Sequence, residues 1–246
     1  MRKFLIAILF ATVPALSWAA GGQGELMRVD VDPYDKASLQ NGAKLYINYC
    51  AGCHSAEYMR FKRLAADLSL PEDLVEKYLI FTGAKIGDTM WTAMDKQDAA
   101  RWFGVAPPDL SLIARRRGTD WLYTYLNSFY RDDAKAVGWN NLVFPDVSMP
   151  HVLWELQGVP LPVYSEVMQG DTPVVVVSGT QVAEGSGALS AEEYRRATRD
   201  LVNFLAYVGE PIKAYRQQLG VKVMLFLLVF FFVSYLLKKE FWRDVH

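Results

Sequence analysis

A long apolar run near the C-terminus leaves this chain few choices in how it can fold. Residues 223–237 are apolar except for Ser234 and Tyr235, and twelve of these fifteen residues are Leu, Phe or Val. Begun at Leu219, the run has nineteen residues, which as a helix is ~28 Å long against a bilayer hydrocarbon core of ~30 Å. Because no polar stripe interrupts the run, a membrane-spanning helix is favoured over a buried core helix. We therefore expect a transmembrane anchor over residues 219–238.

Basic residues after the apolar run indicate the direction in which the anchor crosses the membrane. Lys238, Lys239 and Arg243 lie in the last residues together with Trp242. A basic flank of this kind stays on the cytoplasmic side. We expect residues 239–246 to form a cytoplasmic tail.

The N-terminus has the parts of a secretory signal peptide. The positive start Met1-Arg2-Lys3 precedes about ten apolar residues, and small residues lead up to Ala19. An uncleaved anchor is the alternative, but about ten apolar residues give only ~15 Å of helix, too short to span a bilayer. The sequence therefore predicts a signal peptide over residues 1–19 and an exported domain over residues 20–218, in the periplasm and tethered to a bacterial inner membrane.

Composition and charge exclude several classes of protein. Hydrophobic residues make up 52% of the 246 residues and charged residues 22%, so the chain is neither disordered nor collagen-like. Setting aside six basic and two acidic residues in the two ends leaves a net charge of −5 on the central part. That is the wrong sign for a nucleic-acid binder. Two cysteines, with three histidines far apart in the chain, also argue against a disulfide scaffold or a zinc site.

Five adjacent residues, Cys50-Ala51-Gly52-Cys53-His54, form the sequence C-x-x-C-H, which attaches a c-type haem. Two thiols three residues apart on one turn can add to the two vinyl groups of one porphyrin edge. The next residue, His54, is then held so that its imidazole meets the iron from the proximal face. The motif predicts one covalently attached haem c, with Cys50 and Cys53 as its thioether residues and His54 as an iron ligand.

A CxxC pair can also be a thiol–disulfide centre. Such a centre usually lies at a helix N-terminus in a βαβ fold. Here a helical pattern with Leu39, Ala43, Tyr46 and Ile47 on its apolar side precedes the motif. The position of the pair favours haem attachment and leaves an anchored thiol oxidoreductase as an alternative from a different class.

The second axial ligand of the haem iron must come from elsewhere in the exported domain. Met149 lies between Pro145 and Pro150, which could hold a loop rigid against the haem edge. A thioether ligand favours the ferrous state and suits electron transfer better than oxygen chemistry. The residues by themselves favour Met149 and keep His151 as a rival. The remaining possibilities are Met27, Met59, Met90, Met94 and Met168.

The rest of the chain predicts a mainly α-helical domain with a small β-hairpin. Apolar stretches at 163–167 and 173–177 flank Gly170-Asp171, which is typical of a hairpin. Ser190-Ala191-Glu192-Glu193 has the pattern of a capping box and starts a helix that Pro211 interrupts.

Other segments have weaker patterns. Helical spacing predicts helices over 38–49, from Pro71 onward and through Leu110 to Gly118. A further helix over 121–129 is expected with Asp120 as its cap, and residues 138–150 are expected to form an ordered loop.

Longer motifs carry a resemblance to a known family. Residues 41–46, Asn-Gly-Ala-Lys-Leu-Tyr, lead into the C-x-x-C-H motif, and residues 106–111 are Ala-Pro-Pro-Asp-Leu-Ser. Residues 113–117 are Ile-Ala-Arg-Arg-Arg, Phe144-Pro145 precedes Met149, and lysines follow the C-terminal span. In these motifs the chain resembles the cytochrome c1 family, the haem subunits of the ubiquinol–cytochrome c oxidoreductase (cytochrome bc1 complex).

The resemblance implies roles for individual residues. It implies that Met149 is the distal iron ligand and that Arg117 faces a haem propionate, since a guanidinium fork matches a carboxylate. It also implies that Trp121 is an aromatic residue near the haem. The residues implied to line the haem wall are Pro107, Pro108, Leu110 and Ile113.

The resemblance implies a function as well. A protein of this kind relays single electrons from the Rieske iron–sulfur protein to a cytochrome c, while cytochrome b and inner-membrane lipid surround its anchor. We therefore expect an electron-transfer subunit of this oxidoreductase rather than a catalyst by itself. The alternative within the same class is an anchored c-type cytochrome of another periplasmic dehydrogenase complex.

Overall fold

A computed structural model describes residues 25–244, and in that part of the chain it contains nine α-helices, one π-helical turn and three pairs of strands. The helices are α1 (Lys36–Leu45), α2 (Phe61–Asp67), α3 (Glu72–Leu79), α4 (Lys96–Phe103), α5 (Ile113–Arg117), α6 (Thr119–Asn127), α7 (Trp154–Gln157), α8 (Ala191–Gly209) and α9 (Lys213–Phe241). The strands pair as β1 (Ala56–Arg60) with β2 (Thr89–Met90), β3 (Phe129–Arg131) with β4 (Trp139–Asn141), and β5 (Leu161–Gln169) with β6 (Thr172–Gln181). The predicted fold class, mainly α with a hairpin and an apolar C-terminal helix, is confirmed. The predicted signal peptide, residues 1–19, lies outside the described residues.

Helix α8 is the centre of the fold, because α1, α5 and α6 all pack against it. A capping box fixes its start: Glu193 N donates a hydrogen bond to Ser190 Oγ, and Ser190 N donates one to the Glu193 carboxylate. Helix α8 ends at Gly209 and α9 begins at Lys213, so the helical conformation is interrupted around Pro211. The predicted capping box and the predicted interruption are both confirmed.

Helices α1 and α8 approach each other most closely at Gly42. A Cβ atom on Gly42 would lie 2.6 Å from the Cβ of Phe204 and closer still to the backbone carbonyl of Asp200. Only a residue without a side chain allows this approach. One turn later the ring of Tyr46 packs against that of Phe204, with centroids 5.6 Å apart. This contact anchors the end of α1 that leads into the C-x-x-C-H motif.

A π-helical turn, Tyr46–Cys50, connects α1 to the C-x-x-C-H motif. Ala51 N donates to the Tyr46 carbonyl at 2.9 Å, and His54 N donates to the Cys50 carbonyl at 2.8 Å. The sequence predicts a single helix over 38–49, whereas the α-helix ends at Leu45. Turns of this kind occur frequently at functional sites, where they change the direction of the side chains that follow.

Two predictions in the middle of the chain are wrong. The N-cap of α6 is Gly118, not Asp120, because the Asp120 carboxylate accepts a hydrogen bond from Val29 N at 2.9 Å and holds the N-terminal segment instead. The segment 138–150 is not entirely loop, since it contains β4, which pairs antiparallel with β3. Phe129 therefore begins a strand and does not end a helix.

Strands β5 and β6 form the hairpin predicted around Gly170. Their pairing runs from Leu161 opposite Gln181 to Gln169 opposite Thr172. Gly170 has a φ of 64°, the left-handed conformation that a tight hairpin turn requires. The hairpin is confirmed and is longer than the two stretches from which it is predicted.

Helix α9 is the helix within residues 25–244 that is long and apolar enough to cross a membrane, judged by its length and composition. It has 29 residues, a mean hydropathy of 2.4 over its most apolar window, and no part of that window buried against the rest of the chain. Its first turns contact the domain, where the Tyr34 hydroxyl donates to the Ala214 carbonyl at 3.1 Å.

Candidate haem site

A cavity brings the end of the C-x-x-C-H motif together with the loop that contains Met149. Cys53, His54, Pro107 and Met149 are among the residues that line it. Its walls are largely apolar, as is usual for a pocket that binds a small molecule or cofactor. The other residues around it are Tyr49, Phe103, Val105, Ser148, Pro150 and Val152.

The His54 ring is oriented by a backbone carbonyl. Its Nδ1 lies 2.7 Å from the carbonyl oxygen of Pro108, and since that oxygen can only accept, Nδ1 carries the proton. Nε2 has no hydrogen-bond partner among residues 25–244. Burial lowers the pKa of His54, although the Pro108 carbonyl and the Asp109 carboxylate act in the opposite direction. A neutral imidazole with one nitrogen held and the other left as an acceptor is suited to bind a metal.

The two cysteines lie in surroundings that suit a structural role. Cys50 is buried and Cys53 is half-buried. Burial raises the pKa of Cys50 to about 12, with a smaller contribution from Cys53. Burial also raises the pKa of Cys53. A thiol–disulfide centre needs the opposite shift, because its nucleophile is the thiolate, so these surroundings do not favour the thiol oxidoreductase alternative.

The C-x-x-C-H motif is also held from the side of the core. The fully buried Tyr46 donates its hydroxyl proton to the carbonyl oxygen of His54 at 2.7 Å. The next carbonyl, of Ser55, accepts a hydrogen bond from Leu110 N at 2.8 Å. Leu110 therefore supports the motif through its backbone.

The loop that contains Met149 is attached to helix α6 by one buried side chain. Asn141 is 0% exposed, and its Nδ2 donates to the Tyr125 carbonyl at 2.8 Å. Its Oδ1 accepts hydrogen bonds from Val143 N at 3.0 Å and from Phe144 N at 3.2 Å. The Tyr125 hydroxyl in turn lies 3.4 Å from Met149 Sδ.

His151, the predicted rival of Met149, lies in an aromatic cluster with Phe129 and Trp139, outside the lining of the cavity. It is 1% exposed, its ring stacks on Phe129 at 4.9 Å, and the edge of Trp139 packs against it at 5.2 Å. Its Nε2 is 2.7 Å from Gln157 Oε1. Burial lowers the pKa of His151 to about 4, and the Gln157 hydrogen bond opposes this shift. His151 is a neutral core residue here and is not part of the cavity lining.

Among residues 25–244, Met149 is the methionine that shares a cavity with His54. Of the other methionines considered, Met59 and Met90 are buried in the core and Met168 lies on the hairpin. Met27 lies in the N-terminal segment, and Met94 lies beside a neighbouring cavity.

Arg117 and Trp121 are not among the residues that line the cavity. The exposed Arg117 guanidinium lies 4.7 Å from the centre of the Trp121 ring and 5.6 Å from that of Phe144. Trp121 stacks on Tyr125, with ring centres 5.0 Å apart and planes 12° apart.

The predicted site residues therefore fall into two groups. Four of them line the cavity, and Pro108 reaches it through its hydrogen bond to His54. The predicted residues outside the lining are Cys50, Leu110, Ile113, Arg117 and Trp121, of which Ile113 and Leu110 pack against the main core.

Three residues with structural roles at the site are missing from the sequence prediction. The sequence partly indicates Tyr46 and Tyr125. Tyr46 lies four residues before Cys50 and Tyr125 four residues after Trp121, so each shares a helical face with a predicted site residue. Asn141 has no such signal, because its partners are brought to it by the pairing of β3 with β4.

The donor set of the cavity fits a c-type haem. An imidazole nitrogen and a thioether sulfur on one cavity are the axial pair of electron-transfer cytochromes, and a cysteine thiol opens on the same space. Apolar walls would exclude water from the porphyrin. The residues that would hold the group are Cys50, Cys53, His54 and Met149.

The chain is similar to known proteins over its whole length. A model of the Cytochrome C1 family matches residues 28–245. The chain is 47% identical to cytochrome c1 of Allochromatium vinosum over 247 residues, covering 100% of both chains. It is 48% identical over 247 residues to a Nitrosomonas europaea protein named ammonia monooxygenase gamma subunit, covering 100% of this chain and 99% of that one. It is 26% identical to cytochrome c1 of Rhodospirillum rubrum, covering 86% of this chain and 83% of the other.

The family match and the C-x-x-C-H motif agree with each other. The matched range includes the motif, the cavity and helix α9. On this match, the chain belongs to the cytochrome c1 family, whose members carry a covalently bound haem c.

Proposed function

We propose that this chain is the haem c subunit of a ubiquinol–cytochrome c oxidoreductase and relays single electrons from a Rieske iron–sulfur protein to a cytochrome c. The observation that carries the proposal is the cavity shared by His54 and Met149. His54 and Met149 would both ligate the haem iron, and an iron held by two protein ligands suits electron transfer better than oxygen chemistry. Family membership supports a role in respiratory electron transport, with cytochrome b as the membrane neighbour.

The topology that goes with this function has three parts. Residues 20–218 form the periplasmic haem domain, residues 219–238 cross the bacterial inner membrane in contact with lipid, and residues 239–246 lie in the cytoplasm after removal of residues 1–19. The unburied apolar surface of α9 and the lysines at its end support this arrangement.

The residues of the C-x-x-C-H motif hold and tune the cofactor. The bound haem supplies a one-electron iron couple, and the protein determines its ligands and surroundings. Cys50 and Cys53 would attach the porphyrin, and His54 would ligate its iron. The hydrogen bond from His54 Nδ1 to Pro108 fixes the tautomer and the plane of the imidazole and makes Nε2 a better donor to a metal.

The remaining predicted residues surround the cofactor in this proposal. Arg117 would offset the charge of a propionate, and its contact with the Trp121 ring restricts its rotamers. The residues that the resemblance assigns to the haem wall are Pro107, Pro108, Leu110 and Ile113. Pro107 lines the cavity and would exclude water directly, whereas Leu110 and Ile113 pack against the main core behind it.

The ligand assignment is tested by Met149→Leu in the full chain. We expect the variant to keep its haem after denaturation, because the thioether bonds are unaffected, but to lose the methionine–iron charge-transfer band. We also expect its reduction potential to fall, because a methionine ligand raises the potential. Optical spectroscopy and a redox titration measure both effects.

The matched control is Met168→Leu, which alters a methionine on the exposed hairpin that is 67% exposed. This control should leave the band and the potential unchanged. An unaltered spectrum in Met149→Leu would remove Met149 from the site, and haem lost on denaturation of the unaltered protein would contradict covalent attachment.

A second candidate is a haem c subunit of a different membrane oxidoreductase. The observation that favours it is the name of the Nitrosomonas europaea relative, which places that protein in an ammonia monooxygenase. The two candidates share the haem chemistry and differ only in partners. Purification in mild detergent distinguishes them: a haem b subunit and a Rieske protein should accompany this chain in the first case and be absent in the second.

A further inference from the structure

We propose that Tyr125 is a positioning residue for the distal iron ligand, and that its hydroxyl donates a hydrogen bond to the thioether sulfur of Met149 and thereby raises the reduction potential. The inference rests on the proposed ligation of the haem iron by Met149. The Tyr125 hydroxyl oxygen lies 3.4 Å from Met149 Sδ. A thioether sulfur is a weak acceptor, and this distance suits a hydrogen bond to the larger sulfur atom.

Three aromatic rings fix the direction of the Tyr125 side chain. Trp121 stacks on its face, with centres 5.0 Å apart and planes 12° apart. Phe129 and Phe144 present their edges to it, at 4.9 Å and 6.5 Å between ring centres. With its ring clamped in this way, Tyr125 cannot turn its hydroxyl away from Met149 without disturbing all three neighbours.

The backbone at both ends of this contact is held by the same side chain. Asn141 donates to the Tyr125 carbonyl at 2.8 Å and accepts hydrogen bonds from the backbone of the loop at Val143 and Phe144. The buried Asn141 side chain therefore joins the backbone that carries the hydroxyl to the loop that carries the sulfur.

The Tyr125 hydroxyl is available as a donor. A tyrosine hydroxyl is a hydrogen-bond donor as well as an acceptor. Among residues 25–244, Met149 Sδ is the hydrogen-bond partner of this hydroxyl.

A hydrogen bond to the sulfur changes what the sulfur can give to a metal. A thioether has two lone pairs, so one can bind iron while the other accepts the hydroxyl proton. The hydrogen bond withdraws electron density from the sulfur, which weakens its donation and disfavours the ferric form more than the ferrous form. Hydrogen bonds to axial ligands are one of the means by which proteins set haem potentials.

The test is Tyr125→Phe in the full-length haem-loaded protein, with Tyr123→Phe as the matched control. Tyr123 is a buried residue on the same helix, and its hydroxyl donates to the Arg195 carbonyl at 3.4 Å, away from Met149. We expect Tyr125→Phe to keep the methionine–iron charge-transfer band. The equilibrium constant for its reduction by a fixed one-electron partner should fall by about threefold to tenfold, where tenfold corresponds to about 59 mV. Tyr123→Phe should leave the constant unchanged.

An unchanged reduction potential in Tyr125→Phe with the band retained would overturn the positioning role while leaving Met149 as the ligand. The same would follow if both variants shifted the potential equally, because the effect would then be a general one of losing a buried hydroxyl. Failure of the proposed function is distinguishable, since it requires an unaltered spectrum in Met149→Leu.

A measurement on the unaltered protein covers the case in which Tyr125→Phe does not assemble. In the reduced state, magnetic resonance should detect a slowly exchanging Tyr125 hydroxyl proton with an Overhauser contact to the Met149 methyl group. The buried Tyr194 hydroxyl, which donates to the Leu126 carbonyl at 2.8 Å, serves as the internal reference. A visible Tyr194 proton without the Tyr125 contact would overturn the inference.

Discussion

His54 and His151 are both buried histidines, but their hydrogen-bond partners give them different roles. The Pro108 carbonyl holds Nδ1 of His54 and leaves Nε2 without a partner in the described part of the chain, on a cavity that also contains Met149. His151 uses Nε2 in a hydrogen bond to Gln157, and its ring is stacked in the core. At the scale of single residues, the hydrogen-bond partner of each ring nitrogen separates a possible metal ligand from a structural residue.

Replacement of His151 tests this separation. We expect His151→Asn to keep the charge-transfer band and the reduction potential, but to lower the free energy of unfolding by about 2 kcal/mol or more, because it removes a packed ring and a buried hydrogen bond. Optical spectra and denaturant unfolding measure the two effects. Met149→Leu, studied in parallel, should show the band lost. A spectrum altered in His151→Asn and not in Met149→Leu would reverse the assignment.

At the scale of the helices, the end of α1 determines where the C-x-x-C-H motif lies. Gly42 lets α1 contact α8 closely, Tyr46 packs on Phe204, and the π-helical turn then directs Cys50 into the core. The Tyr46 hydroxyl closes the arrangement by its hydrogen bond to the His54 carbonyl. The position of the motif is thus coupled to the packing of two helices that are far apart along the chain.

Addition of one methyl group tests that coupling. We expect Gly42→Ala to reduce the free energy of unfolding by about 1–3 kcal/mol, because its Cβ would overlap Asp200 and Phe204 and push α1 away from α8. The control is Gly87→Ala, where the added Cβ meets no atom within 4 Å. Chemical denaturation of the haem-loaded protein compares the two. Equal stabilities would contradict the close packing of α1 on α8.

At the scale of the whole molecule, the chain separates into a packed domain and a helix that packs on little of it. The core is built around α8, whereas the apolar window of α9 is unburied and depends on another environment to cover it. Lipid provides such cover for an apolar helix of this length. Contacts between α9 and the domain within the described residues include the Tyr34 hydroxyl on the Ala214 carbonyl, near the start of the helix.

Truncation after Gln218 tests this division. Since the shortened chain keeps the contact of Tyr34 with Ala214 and loses only unburied surface, we expect its haem spectrum and Tm to match those of the full chain. We also expect it to appear in the soluble fraction, whereas the full chain needs detergent. Cell fractionation and thermal unfolding provide the measurements. A truncated chain that stays with the membranes would contradict an anchor formed by α9 alone.

Features that depend on residues close together in the chain are predictable from the sequence. The C-x-x-C-H motif, the capping box at Ser190, the turn at Gly170 and the apolar run of α9 each involve only neighbouring residues. Their physical basis is local: a hydrogen bond within one helical turn, a backbone conformation that glycine allows, or a length that matches a bilayer.

Features that depend on distant residues were decided by the tertiary structure. Asn141 joins α6 to the Met149 loop only because β3 pairs with β4, and Asp120 holds Val29 instead of capping its own helix. The packing of the loop also decides which of Met149 and His151 shares a cavity with His54. It directs the Met149 side chain to the cavity and the His151 ring into the core. By itself the sequence predicts haem c attached at Cys50 and Cys53, because that chemistry needs only adjacent residues. The cavity around the group depends on packing between distant segments, which no local pattern specifies.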